Sequence, residues 1–172
     1  MRSCLVFLIC SAVLFAESVA GLKWISPAGW KSSGTTSMRA ATYPVAPAPG
    51  DREGAECAVY FFGVGQGGGT QANIDRWEGQ FKAPGGKPAP AKVTKVDIHG
   101  LPVTTIDVSG DYSGMAGPAA APVLAMDYRL LGAIIEGPGG NVFIKFTGPA
   151  KTMAANQSKF QQLLDSFEKA GK

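Results

Sequence analysis

Residues 141–147 alternate between two faces, with Val142, Ile144 and Phe146 on one and Phe143, Lys145 and Thr147 on the other. This two-residue period predicts a half-buried antiparallel strand over Asn141–Thr147. Ala125–Glu136 lies just upstream, across Gly137-Pro138-Gly139-Gly140, so the two segments predict a hairpin. A second hairpin joins Lys92–Ile98 to Leu101–Val108 through His99-Gly100, where glycine supplies a positive φ. Nearer the start, Leu22–Ser26 is a short strand stopped by Pro27 and the turn Ala28-Gly29. Ser37–Tyr43 and the apolar, aromatic Ala55–Phe62 are the remaining strands.

Two segments carry a helical period instead. Ile74, Trp77 and Phe81 recur at i, i+3 and i+7 behind a glycine loop, Gly63–Gly69, and Thr70 has the chemistry of an N-cap. A last helix is expected from Ala150 to Ala170, with Met153, Phe160, Leu163, Leu164 and Phe167 on its inner stripe and Gly171 as its C-cap. The connectors are rich in proline and glycine. Pro44–Asp51 is a stiff extended link, and Lys82–Pro90 and Gly110–Pro122 read as loops. The predicted order is β-β-β-α-β-β-β-β-α, an α+β domain whose mainly antiparallel sheet is packed by helices.

Residues 1–20 break this pattern. Met1-Arg2 is followed by an uncharged apolar run, Leu5–Ala16, too short to span a bilayer. Ser18 and Ala20 place small residues at the −3 and −1 positions of a cut before Gly21. The segment predicts a secretory signal peptide, with the mature protein secreted or periplasmic after cleavage following Ala20. Residues 21–172 then form a single domain, large enough to bury a core without disulfides or metal.

Composition narrows the chemistry. The formal net charge is +3 and the basic residues are scattered, which excludes a phosphate-tracking patch and with it nucleic-acid binding. Cys4 and Cys10 lie in the leader, leaving Cys57 without a disulfide partner. Cys57 sits in a predicted strand with no base beside it and reads as an inert, buried thiol.

Trp24-Ile25-Ser26-Pro27-Ala28-Gly29-Trp30 resembles the opening aromatic-x-x-Pro-x-Gly-Trp segment of PsbP-like domains, and Phe160–Phe167 resembles that family's last helix. The family includes the extrinsic lumenal protein of photosystem II and several bacterial secreted or lipid-anchored proteins. The resemblance implies an α-β-α sandwich whose members mostly bind or assemble with other proteins. The glycine loop at 63–69 has no counterpart in it.

No paired catalytic groups stand out. Gly63-x-Gly65-x-x-Gly68 has the spacing of a dinucleotide fingerprint, but antiparallel hairpins replace the parallel βαβ unit that motif requires, so no cofactor is expected. The free N–H groups of Gly65, Gln66, Gly67, Gly68 and Gly69 remain a candidate ligand or partner contact. His99, the sole histidine, sits at a hairpin tip. Asp107, Asp111 and Glu136 lack the surroundings of a calcium loop, so no metal is expected. Trp24, Trp30 and Trp77 read as core rather than as a sugar platform. The leading expectation is an exported, non-enzymatic binding or assembly module with a protein partner. Two alternatives are a small exported enzyme using His99, Asp107, Asp111 and Tyr112 near the 110–122 loop, and a small-ligand carrier with an apolar cavity.

Overall fold

The computed structural model describes residues 16–114 and 125–171. Ten strands and two helices follow in order: β1 Ala16–Val19, β2 Leu22–Ile25, β3 Arg39–Val45, β4 Ala55–Tyr60, α1 Thr70–Glu78, β5 Phe81–Lys82, β6 Ala91–Ile98, β7 Leu101–Tyr112, β8 Ala125–Gly137, β9 Gly140–Pro149, α2 Ala150–Asp165 and β10 Glu168–Lys169. The main sheet runs β3-β4-β9-β8-β7-β5, with β6 also on β7, and a small sheet runs β1-β2-β10. All pairings are antiparallel. The class is α+β, with α1 and α2 on opposite faces of the sheet.

The alternation in β9 sets this arrangement. Val142, Ile144 and Phe146 face the core under α2, where they meet Phe160, Leu163, Trp30 and Phe167. Phe143 faces the other core, with Ile74 and Trp77 of α1. The strand lies between β4 and β8, with α2 over one face and α1 over part of the other, so Phe143 is buried while Lys145 and Thr147 stay half-buried. All three tryptophans are core residues, at most 4% exposed. Cys57 is fully buried on the α2 side, and burial pushes its thiol pKa well up.

The hairpin at His99-Gly100 forms as expected. Both residues have positive φ, and Asp97 Oδ1 accepts from Gly100 N at 2.8 Å. Several boundaries differ. β7 extends to Tyr112 because β8 continues to pair with it. The N-cap of α1 is Gly69 rather than Thr70, whose hydroxyl instead reaches Glu136. Phe81 lies beyond α1, in β5, and still enters the core beside Trp77. The last helix stops at Asp165 with Ser166 as its C-cap, so Gly171 is not a cap. Phe167 leaves the helix and stacks on Trp24 at 4.9 Å, and β10 then pairs with β2. Proline leaves the start of α2 uncapped locally. Asp51, at the end of the proline-rich connector, supplies the missing acceptor to Thr152 N and Oγ1 at 2.8 and 2.6 Å.

Ala16–Val19 is part of the folded body. It pairs with β2 from Ala16↔Ile25 to Val19↔Leu22, across a two-residue turn at Ala20 and Gly21, both with positive φ. Glu17 Oε2 accepts from Trp24 Nε1 at 2.9 Å and from the Tyr43 hydroxyl. Ala20 O also accepts from Gly139 N at 2.9 Å. Residues 1–15 lie outside the described residues.

Candidate functional site

Cross-strand register explains a depression on the α1 face. Lys145 stands between Ala58 of β4 and Gly132 of β8, two positions with little or no side chain. The next row places Tyr60 beside Phe143. Trp77 of α1 lies over Gly132, and α1 therefore sits to one side of Lys145 rather than on top of it. A cleft of about 270 Å³ remains, lined by Tyr60, Phe62, Trp77 and Phe143 as walls and by Asn73, Arg76, Gln80 and Lys145 as polar groups. Tyr60 and Phe62 stack at 5.8 Å, and Phe62 meets Phe143 at 5.5 Å. Aromatic walls with a few convergent polar groups are the usual composition of a small-molecule site.

Lys145 is the chemical centre of this cleft. Its Nζ donates to Gln80 Oε1 at 2.8 Å and to the Tyr112 hydroxyl at 3.0 Å, and lies 5.3 Å from the centre of the Tyr112 ring. Among the described residues, no carboxylate forms an ion pair with it. Burial, with the nearby Arg76 guanidinium adding to it, pushes its pKa down to about 8. Burial likewise raises the phenols of Tyr60 and Tyr112, so neither is an anion that neutralises it at neutral pH. The site thus holds a cation in an apolar setting, satisfied by neutral hydrogen-bond partners alone.

The glycine loop supports one wall. Asn73 Nδ2 donates to Gly67 O and Gly69 O, both at 2.9 Å, while Asn73 Oδ1 accepts from Arg76. Gly67, at φ +87°, packs so closely that a Cβ there falls 2.7 Å from Phe62 and 2.8 Å from Phe143. Gly65, Gln66, Gly68 and Gly69 are exposed beside it. The loop thus shapes the cleft through Gly67 and orients Arg76 through Asn73.

The other candidates are dispersed. Asp107 forms a bidentate pair with Arg129 at 2.8 and 2.7 Å on the α2 face. Asp111 pairs in register with Lys82. His99 is beyond the opposite end of β7, on the order of 35–40 Å from Tyr112 at about 3.3 Å per residue, and its Nδ1 lies 3.0 Å from Phe167 O. Glu136 is exposed beside Thr70. Tyr112 alone belongs to the cleft's chemistry, through Lys145. Part of the 110–122 loop, residues 115–122, lies outside the described residues. Among those described, no cluster of three potential metal ligands occurs.

Tyr60, Phe62, Trp77, Gln80 and Lys145 escaped the sequence reading as a site because they come from different elements. One local cue existed, an inward-facing lysine in the most apolar hairpin of the chain.

No family model matches the chain, and no curated protein matches it by sequence. Its architecture is similar to two solved structures. One is the cyanobacterial PsbP of Synechocystis sp. PCC 6803, at TM-score 0.49 and 12% identity, covering 98% of each chain. The other is PA94 from Pseudomonas aeruginosa, a protein of unknown function, at TM-score 0.48 and 14% identity, covering 89% of this chain and 94% of that one. The opening and closing segments resemble PsbP-like domains, and the cyanobacterial PsbP is among the solved structures that this one is similar to.

Proposed function

We propose that this protein is a non-enzymatic binding module whose ligand is a small molecule held in the cleft between α1 and the sheet. The observation that carries this reading is Lys145, half-buried among Tyr60, Trp77, Phe143 and Tyr112 with only neutral hydrogen-bond partners. A charge kept in such a place disfavours the folded state unless something offsets it. Gln80 and Tyr112 fix its position, while Phe62 and Trp77 supply flat apolar contact. His99, Asp107 and Asp111 are scattered, and none stands beside Lys145 as a proton-transfer partner, which supports a carrier or sensor over a catalyst. A protein partner for the ligand-loaded form fits the same module, with the exposed Gly65–Gly69 edge beside the cleft as its contact.

Export rests on the leader-like composition of residues 1–20. Among the described residues, no helix is long and apolar enough to cross a membrane. Ligand screening by thermal shift, with Trp77→Ala as the control that empties one wall, tests the binding reading. Stabilisers of the native protein that leave the variant unmoved support it. Stabilisers that act equally on both place binding outside the cleft and overturn it.

A further inference from the structure

We infer that the ligand of the α1 cleft carries a carboxylate on a flat apolar body of about one aromatic ring, with the carboxylate between Lys145 and Arg76. This inference rests on the binding function proposed above and names its ligand class. Two cations line the same small cleft, Arg76 on α1 and Lys145 on β9, and the described residues pair neither with a carboxylate. Their mutual repulsion is relieved by an anion and not by a neutral guest. The opposite wall is aromatic: Tyr60 and Phe62, both half-buried, offer surface to a ring, with Trp77 and Phe143 buried behind them.

The donor arrangement selects the headgroup. Lys145 already spends two of its three N–H donors on Gln80 and Tyr112. Arg76 spends part of its fork on Asn73. What remains is one N–H of Lys145 and the free edge of the Arg76 guanidinium, from two directions, which suits the two oxygens of a carboxylate. The cleft is also at the small end of ligand sites, so a single ring fills it and a nucleotide does not. Because Asn73 ties Arg76 to Gly67 O and Gly69 O, the glycine loop sets the guanidinium's place at the rim.

The test is a titration of the intact, isotope-labelled protein followed by amide NMR, with three probes: 3-phenylpropionate, its neutral amide, and acetate. The expected result is saturable shifts at residues 73–80 and 143–145 with 3-phenylpropionate. Binding of the amide and of acetate is expected to be at least about tenfold weaker, one lost charged hydrogen bond or one lost ring being worth that much. Lys145→Gln, with its spectrum otherwise native, is expected to lose about tenfold for the acid and nothing for the amide. Equal binding of acid and amide overturns the carboxylate assignment while leaving the cleft a binding site. Absence of saturable shifts with every probe at millimolar concentration overturns the assignment and removes the support for the binding reading as well.

Discussion

The ring of Trp77 lies directly on Gly132. A Cβ on that glycine falls 2.7 Å from Trp77 and 2.8 Å from Ile106. The missing side chain lets α1 dock close to the sheet, and the docking angle leaves Lys145, the cross-strand neighbour of Gly132, uncovered. Gly132→Ala should therefore act twice. Overpacking should lower stability by about 1–3 kcal/mol, read as a urea midpoint. The tilt it forces on Trp77 should also weaken binding in the cleft. An alanine variant with unchanged stability would mean that Trp77 does not rest on the sheet.

Lys145→Met should stabilise the protein while weakening anion binding by about tenfold. The methionine keeps the apolar stem and removes the charge, and replacing buried charge by a packed apolar group gains about 1–3 kcal/mol. Gln80 and Tyr112 lose a partner in the variant; Gln80 lines the cleft and Tyr112 is half-buried, so this offsets only part of the gain. A melt that shows marked destabilisation would make Lys145 a structural residue.

The same lysine predicts a pH dependence. Its folded pKa, about 8, lies below its ordinary value of 10.5. Between these values the unfolded chain holds the proton and the folded chain has released it, so stability rises with pH across that window. Below about pH 8 both states are protonated and the contribution is flat. The charged or titratable groups around it are Arg76, Tyr60 and Tyr112. The first stays charged, and the phenols are shifted upward. The stability gap between Lys145→Met and the native protein should shrink as urea titrations move from pH 7.5 to 10.

On the other face, Phe160 is 5% and Leu164 2% exposed. Truncating either to alanine should lower stability by about 2–5 kcal/mol, whereas exposed Gln162, on the outer face of α2, should respond by less than about 0.5 kcal/mol. Equal effects would place α2 in a different rotation against the sheet.

Much of this fold is readable where a local rule decides alone. The alternation in 141–147 separates Val142, Ile144 and Phe146 from Phe143 and Lys145, and the structure sends those sets to opposite cores. His99-Gly100 makes its turn because two residues between long strands leave few options. The PsbP-like opening and closing segments likewise meet, through Trp24 on Phe167. The cleft was not readable. It depends on Gly132 lying beside Lys145 and under Trp77, a coincidence of register between residues far apart in sequence. Nor was β1, because the small residues Ser18 and Ala20 at its end also fit the positions before a signal cut.

Residues 16–20 should matter for stability. A chain starting at Gly21 loses the partner of β2 and the Glu17 acceptor of Trp24. It should be less stable than one starting at Ala16, by about 1–3 kcal/mol for a lost strand and its hydrogen bonds. The opposing effect is small. Burial raises the Glu17 pKa against its hydrogen bonds, so removing that carboxylate returns some stability at neutral pH. Paired denaturant titrations of the two chains decide it, and equal midpoints would make β1 an ornament.

Under the proposed export, that first hairpin sets cleavage against folding. The bond between Ala20 and Gly21 lies at the centre of its two-residue turn, with both φ angles positive and Ala20 O held by Gly139 N. A closed turn is not the extended strand that a peptidase takes up. A cut at that bond would have to precede the pairing of β2 with β1. A chain that folds uncut keeps Ala16–Val19 as part of its own architecture.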